Sequence, residues 1–434
     1  MSLQSLLRRW LPESTSDPLK LPWAKPRVLD RGQVGRPQIA LDDRGNALAA
    51  WHHRSEDGEG IYICRYHPDR RGWDLVPRRL DSARTQAQAP EIAMNCRCEL
   101  AVIWHEQEGG QARVCARHML GSEDTWVPYP VHLQEAPGHV SSLHTAMDPQ
   151  GNILAVWCLG EPGSYQVYTS GYSAEEATWA LQPTPLGSPS RRPLFPQLAV
   201  NGTGTGLAVW STEGEPEGDG LVACHYDPGS RCWSDRPTAV APGRAAHLRL
   251  ALDARGNAIV LWVDEAGRGE QQLHASHLDG LSVEWRPAAP LAVGRGILWP
   301  QVGIDGQGQA HAVWRQEAAG RTKLYAKRFL RGQWEPQRTL LVEDLGQSQA
   351  HALSTNEQGH ALVVWLQDQG DQSLVCARRF DGRTWGSQPI LLGSPSHREV
   401  QTPAAMLSPG DQVGVIWRQG DPDHGAILTA VGQA

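Results

Sequence analysis

Eight tryptophans recur along this chain at an almost constant spacing. The successive gaps are 53, 53, 53, 52, 52, 51 and 52 residues. Self-similarity at a fixed period of this size is typical of a chain built from structural repeats, and eight units of roughly 52 residues would occupy nearly the whole length. The eight residues are Trp51, Trp104, Trp157, Trp210, Trp262, Trp314, Trp365 and Trp417.

Each unit begins with the pattern of a β-hairpin. Seven units carry Asp or Asn nine residues before the tryptophan, and six carry Gly six residues before it, as at Asp148 and Gly151. These residue types tolerate the left-handed backbone that a tight turn requires. Apolar, β-rich segments flank the turn, so a hairpin is predicted here.

A third apolar segment and a second tryptophan complete the unit. The third segment covers 61–66 in the first unit and 324–329 in the sixth. No window shows sustained helical periodicity, and four short strands in 50-odd residues predict a propeller blade. The second tryptophans are Trp73, Trp126, Trp179, Trp233, Trp285, Trp334 and Trp385.

The two ends of the chain predict how the repeat closes. The eighth unit stops at Ala434 without a fourth strand, whereas a matching segment stands alone at 23–29, beginning with Trp23. We therefore predict an all-β fold, a single eight-bladed β-propeller of four-stranded blades over residues 23–434. The N-terminal strand would complete the last blade and remove the free sheet edges. The eight recurring tryptophans are predicted to pack between blades.

The repeat resembles a known group of proteins. Residues 148–157, Asp-Pro-Gln-Gly-Asn-Ile-Leu-Ala-Val-Trp, carry the resemblance best. The pattern resembles that of Trp-rich bacterial β-propellers, which are often labelled sialidase-like, and the likeness covers residues 23–434. It implies a propeller and little about activity. The Asp-box of sialidases, Ser-x-Asp-x-Gly-x-Thr-Trp, is absent from the chain.

Composition restricts the class of partner and the compartment. The formal net charge is −7, which does not favour binding to nucleic acid. No apolar run reaches the length of a membrane span, and the first 21 residues lack the pattern of a secretory signal. The eight cysteines do not recur as a disulfide framework. We therefore expect a reducing compartment and a cytoplasmic protein.

A ligand site is predicted at one mouth of the central channel. Loops between blades carry most of the arginines that would converge there, inside an outer ring of acidic loops such as the one holding Glu106 and Glu108. Such a basic mouth suits a carboxylate, a phosphate or an acidic peptide, although charged loops can equally serve only to keep a surface soluble. The predicted ligand-binding residues are Arg36, Arg84, Glu91, His144, Arg191, Arg192, Arg244, Arg249, Arg295, Trp299 and Arg398.

Catalytic and metal-binding motifs are not found in the sequence. His52 and His105 occupy equivalent places in neighbouring units, but their spacing is not that of structural zinc. We expect no metal and no cofactor. The favoured function is a non-enzymatic interaction scaffold whose loop face binds a protein or an anionic ligand. The alternative is a carbohydrate-binding or glycan-cleaving, sialidase-like propeller.

Residues 1–22 are predicted to form a short amphipathic helix and a linker. Pro12 would end the helix, whose apolar stripe is the predicted partner-binding surface. Three roles are open for it: docking on the propeller, binding a partner protein, or lying on a membrane surface. The stripe consists of Leu3, Leu6, Leu7, Trp10 and Leu11.

Overall fold

The fold is all-β and propeller-like. The computed structural model describes residues 26–433 apart from 56–57, 83–85, 120–124, 191–193, 214–219, 268, 347–349, 370–371, 394–399 and 422. Throughout these residues the strands form antiparallel sheets and no helix occurs. Consequently, none of the described elements is an apolar helix of the length that crosses a bilayer. The predicted helix and linker at 1–22, and Trp23, lie outside the described residues.

The strands fall into eight successive units, numbered by the recurring tryptophan that each contains. The strand that precedes unit 1 is β1 (Arg27–Val34). Unit 1 has β2 (Gln38–Leu41), β3 (Ala47–Ser55), β4 (Gly58–His67), β5 (Gly72–Trp73) and β6 (Arg78–Arg79). Unit 2 has β7 (Ala87–Met94), β8 (Leu100–Glu108), β9 (Gln111–Met119) and β10 (Val131–Pro137). Unit 3 has β11 (His139–Met147), β12 (Ile153–Glu161), β13 (Ser164–Ser173), β14 (Thr178–Trp179) and β15 (Thr184–Ser190).

The remaining units repeat this order. Unit 4 has β16 (Gln197–Val200), β17 (Gly206–Thr212), β18 (Gly220–Asp227), β19 (Cys232–Trp233) and β20 (Thr238–Pro242). Unit 5 has β21 (Ala246–Leu252), β22 (Ala258–Gly267), β23 (Glu270–Asp279), β24 (Glu284–Trp285) and the first part of β25 (Ala289–Ile304). Unit 6 has the second part of β25, β26 (Ala310–Ala318), β27 (Arg321–Leu330), β28 (Gln333–Trp334) and β29 (Thr339–Val342). Units 7 and 8 have β30 (His351–Thr355), β31 (Ala361–Gln369), β32 (Gln372–Phe380), β33 (Ile390–Leu391), β34 (Val400–Leu407), β35 (Gln412–Gln419) and β36 (Gly425–Gln433).

The two ends of the described chain pair with each other. Strand β1 runs antiparallel to β36, with Val28 opposite Leu428, and so extends the sheet formed by β34, β35 and β36. The pairing agrees with the sequence prediction, although the strand covers 27–34 rather than 23–29. The first strands of successive units also contact one another, and β34 of unit 8 contacts β2 of unit 1.

Each unit turns between its first two strands as predicted. In unit 3, one carboxylate oxygen of Asp148 accepts hydrogen bonds from the backbone N–H groups of Gln150 and Asn152, at 2.9 Å each. Its other oxygen accepts the Asn152 amide at 2.7 Å. Gly151 has a φ of 91°, a region that glycine enters without steric cost. The Asp and Gly therefore shape the turn together.

The recurring tryptophans form the core, as predicted. All eight are at most 3% exposed, and each lies in an apolar cluster shared between neighbouring units. Around Trp157, for example, Ile103 and Leu133 of unit 2 pack with Tyr172 of unit 3. Burial of such large rings between sheets is the main cohesive force expected in this fold.

Replacing Gly151 with alanine is expected to lower the free energy of unfolding by about 1–2 kcal/mol. Alanine is strained at a φ of 91°, and its added Cβ would lie 2.8 Å from Oε2 of Glu99. Chemical denaturation measures the change. Gly202→Ala is the matched control, because a Cβ there meets no atom within 4 Å. Equal stability of the two variants would contradict the predicted strain.

Candidate functional site

Six polar side chains occupy equivalent positions on the first strands of six units. Each pairs across the hairpin with the residue just before the unit's tryptophan, as Glu91 pairs with Ile103 and Arg249 with Leu261. The six therefore occupy the same place in the strand pairing of their units. We call this set the inner ring: Gln38, Glu91, His144, Gln197, Arg249 and Gln301.

Neighbouring members of the inner ring contact each other directly. The Gln38 amide donates a hydrogen bond to Oε1 of Glu91 at 3.2 Å. Nε2 of Gln197 lies 3.0 Å from Nε2 of His144, so the amide donates to a neutral imidazole. The structure therefore brings the predicted residues Glu91 and His144 into one polar network with two glutamines.

Charges from units 1 and 5 act on the same buried groups. Burial raises the pKa of Glu91 to about 7, against the opposing effects of Arg36 and Arg249. Burial, together with the charges of Arg249 and Arg36, lowers the pKa of His144 to about 4. Burial and Arg36 also lower the pKa of Arg249. Arg36 of unit 1 and Arg249 of unit 5 thus converge on one site.

These groups lie deep in the fold but remain partly exposed. Glu91, His144 and Arg249 each keep a fraction of their surface open to solvent, although their pKa values are those of strongly desolvated groups. Burial therefore dominates the charge states of all three groups.

Glu91→Gln is expected to stabilise the protein more at pH 8 than at pH 4.5. The raised pKa of Glu91 means that its stability contribution is full below about 4.5 and is lost as the pH rises through about 7. Denaturant midpoints at both pH values test this. Glu135→Gln is a control of opposite sign, because Arg113 lowers the pKa of Glu135. A pH-independent effect of Glu91→Gln would show that burial does not disfavour the charge.

Three aromatic residues lie close to inner-ring residues in the sequence. Phe195, His247 and Trp299 each precede an inner-ring residue by two positions, and we call them the aromatic rim. Phe195 is 54% and Trp299 40% exposed, and the rings of His247 and Trp299 lie 4.9 Å apart. His247 and Trp299 therefore form a pair of adjacent rings, of which Trp299 is exposed.

Two residues of the aromatic rim, His247 and Trp299, have an unusual backbone conformation. His247 has a φ of 54° and Trp299 a φ of 55°, and the strand pairing shifts register at both places. Ala89 of unit 2 has a similar φ of 49°, so the bulge belongs to the repeat. A bulky residue at positive φ is strained, and such bulges commonly aim side chains at functional sites.

Only some of the predicted loop arginines lie in the described part of the chain. Arg36, Arg244 and Arg295 are exposed, and Arg295 lies opposite Glu317 in the strand pairing. Sequence reasoning missed Phe195 and His247, although both share the template position of Trp299. The predicted residues that lie outside the described part of the chain are Arg84, Arg191, Arg192, Arg398, Leu3, Leu6, Leu7, Trp10 and Leu11.

The acidic outer ring is incomplete, because Glu106 belongs to the interior. It is 5% exposed, accepts a hydrogen bond from Nε1 of Trp104 at 3.0 Å, and pairs with Arg113 at 3.2 Å. Its carboxylate therefore satisfies a buried tryptophan rather than facing a ligand. The spacing of acidic residues could not reveal this contact, since it depends on the orientation of the strand end.

Other possible sites lie away from the channel mouth. One cavity of about 480 Å³ is bordered by Leu291, Lys327 and Arg338, and another of about 300 Å³ by Glu106 and Glu135. Neither contains a residue of the inner ring or the aromatic rim. Among the described residues there is no cluster of three His, Cys, Asp or Glu side chains that could hold a metal ion.

Comparison with known proteins identifies structural relatives only. No family model matches the chain, and no curated protein matches it. The chain is similar to a solved ulvan lyase of the polysaccharide lyase family PL25 bound to GlcA(1-4)Rha3S, with 11% identity and a TM-score of 0.52 over 93% of this chain and 95% of that chain. It is also similar to the polysaccharide lyase Uly1, with 9% identity and a TM-score of 0.50 over 92% and 90%. At these identities the likeness shows an all-β, propeller-like fold.

Proposed function

We propose that the eight units form one closed, eight-bladed propeller whose channel mouth binds an acidic saccharide. Two contacts support closure: the pairing of β1 with β36, and the contact between the first strands of units 8 and 1. Eight successive tryptophan-centred units on one circuit match a propeller with four-stranded blades.

The exposed ring of Trp299 beside His247 is the observation that carries the saccharide proposal. Both residues stand two positions before the inner ring, which holds Arg249 and Gln301. An aromatic face offers apolar contact to the C–H face of a sugar ring, while nearby amides and guanidinium groups bind hydroxyl and anionic oxygens. Arg36 and Arg249 supply two positive charges to this one space.

The structural relatives support a saccharide rather than a protein partner. Both are polysaccharide lyases, and one is bound to GlcA(1-4)Rha3S, which contains a uronic acid and a sulfated sugar. An anionic ligand of that class would suit the two arginines at this mouth. The interaction-scaffold function stays a prediction, since its anchor residues in 1–22 lie outside the described chain.

A second candidate function is cleavage of the bound saccharide by β-elimination. Glu91 favours it, because a carboxyl whose pKa is about 7 is half ionised at neutral pH and can accept or donate a proton. In this reaction a base takes the C5 proton of a uronate, the C4–O bond breaks and a C4=C5 double bond forms. The leaving oxygen carries the electron pair of the broken C4–O bond and takes up a proton to become a hydroxyl. Arg249 would stabilise the charge that develops on the uronate carboxylate.

Affinity electrophoresis of the full-length protein tests the proposal. Gels would contain ulvan, chondroitin sulfate, polygalacturonate or neutral dextran. We expect at least one acidic polysaccharide to slow migration and dextran to have no effect. Unchanged migration in every gel would overturn saccharide binding and leave a protein partner. Ultraviolet absorbance of the unsaturated uronate then separates cleavage from binding alone.

A further inference from the structure

Arg315 of unit 6 is a buried arginine with unused hydrogen-bond donors. It follows Trp314 directly and is 8% exposed. Its Nε and Nη1 atoms are buried and have no hydrogen-bond partner in the described structure. Burial lowers its pKa, and the charge of Glu317 acts in the opposite direction. An unpaired guanidinium in this position is costly unless something binds it.

The equivalent arginine in unit 8 has a different use. Arg418 also follows its unit's tryptophan and is 4% exposed. Its Nε donates to the carbonyl of Val34 at 2.7 Å, its Nη1 donates to that of Gly420 at 3.0 Å, and its Nη2 donates to that of Asp421. The repeat can therefore satisfy an arginine here with backbone carbonyls, and in unit 6 it does not do so.

His351 of unit 7 is also buried, and the charge of Arg315 acts on it. It is 7% exposed, and neither ring nitrogen makes a hydrogen bond of regular geometry in the described structure. The carbonyls of Val313 and Trp299 are near enough to act on its pKa, which burial, Arg249 and Arg315 lower to about 4. His351 is therefore neutral at neutral pH, with a single N–H that can donate.

These two residues adjoin the channel mouth. His351 immediately precedes Ala352, which occupies the inner-ring position in unit 7. Arg315 pairs across the strands with Leu298, the residue before Trp299. The charge of Arg249 also reaches His351. Arg315 and His351 thus lie on β26 and β30, the two strands that contact the Trp299 end of β25.

We propose that Arg315 and His351 form a subsite for an anionic oxygen group, a carboxylate or a sulfate, of the ligand whose sugar ring contacts Trp299. This subsite rests on the proposed saccharide function for its ligand, but its anion chemistry stands on the unpaired donors alone. The ligand would then carry two negative groups, one toward Arg249 and one toward Arg315, on either side of Trp299.

The variant Arg315→Leu tests the subsite without disrupting the fold. Leu366 occupies the equivalent position in unit 7 and is 3% exposed, so the repeat accepts leucine there. Removing an unpaired buried charge should leave the melting temperature unchanged or raise it. Arg321→Gln, at an exposed site on β27, controls for the loss of one positive charge.

Two measurements on the full-length protein decide the matter. In the first, sodium sulfate and sodium glucuronate are titrated while the melting temperature is followed. We expect at least one of them to stabilise the wild type and Arg321→Gln, and to have little effect on Arg315→Leu. Equal stabilisation of Arg315→Leu, or no stabilisation of the wild type, would overturn the subsite.

The second measurement identifies the anionic group and separates this subsite from the proposed function. Binding of chondroitin oligosaccharides with and without sulfate is compared at equal length. Arg315→Leu is expected to lower the affinity by about tenfold or more. If the bound group is a sulfate, only the sulfated oligosaccharide should lose affinity. If it is a carboxylate, both oligosaccharides should. Saccharide binding that is unaffected by Arg315→Leu would contradict the subsite and leave the proposed function intact. Sulfate binding through Arg315 without any saccharide binding would support the subsite and contradict the proposed function.

Discussion

Replacing Trp299 with alanine is expected to weaken binding of an acidic polysaccharide by at least tenfold. The ring is 40% exposed at the mouth and contacts His247, so a sugar stacked on it would lose its largest apolar contact. Central aromatic residues of binding sites typically contribute about 2 kcal/mol or more, which corresponds to roughly a thirtyfold change in affinity. Affinity electrophoresis over a series of polysaccharide concentrations measures the dissociation constant.

Two further variants separate stacking from other effects of Trp299. Trp299→Phe keeps an aromatic face and should retain most of the affinity. Leu281→Ala removes an apolar side chain that is 96% exposed but lies on a loop of unit 5 outside the aromatic rim. It should leave binding unchanged. If Trp299→Ala binds as tightly as wild type, the aromatic rim is not the sugar platform.

The turns and the core could be predicted because they depend on local rules repeated eight times. Asp148 and Gly151 satisfy one turn within five residues of chain, so their pattern is visible in the sequence. Trp157 recurs at a fixed distance from that turn and is fully buried. Neither prediction required knowledge of which units touch.

The channel mouth could be predicted as a set of positions but only partly as a set of contacts. The predicted residues Glu91, His144 and Arg249 do occupy equivalent positions on the first strands of their units. The bulge at His247, beside the ring of Trp299, depends on backbone geometry that its residue type does not signal. The unused donors of Arg315 were equally hidden, because the same residue type is fully paired at Arg418.

Trp51→Ala is expected to lower the free energy of unfolding by about 3–5 kcal/mol, the largest stability effect predicted for this protein. The side chain is 0% exposed and packs in a cluster that contains Ile416 and Ile427 of unit 8. Its removal would therefore leave a cavity between the first and last units. Chemical denaturation followed by circular dichroism measures the loss, which should appear as a lower midpoint.

The smaller change to phenylalanine distinguishes packing from hydrogen bonding at the same place in the repeat. Nε1 of Trp51 donates to Oδ2 of Asp30 on β1 at 2.7 Å, which ties unit 1 to the strand that pairs with β36. Nε1 of Trp417 is buried without a partner in the described structure. Trp51→Phe should therefore cost about 1–3 kcal/mol more than Trp417→Phe, since it leaves a largely buried carboxylate with one donor fewer. Equal costs, measured side by side in urea, would mean that the bond to Asp30 adds nothing to the contact between the two ends of the chain.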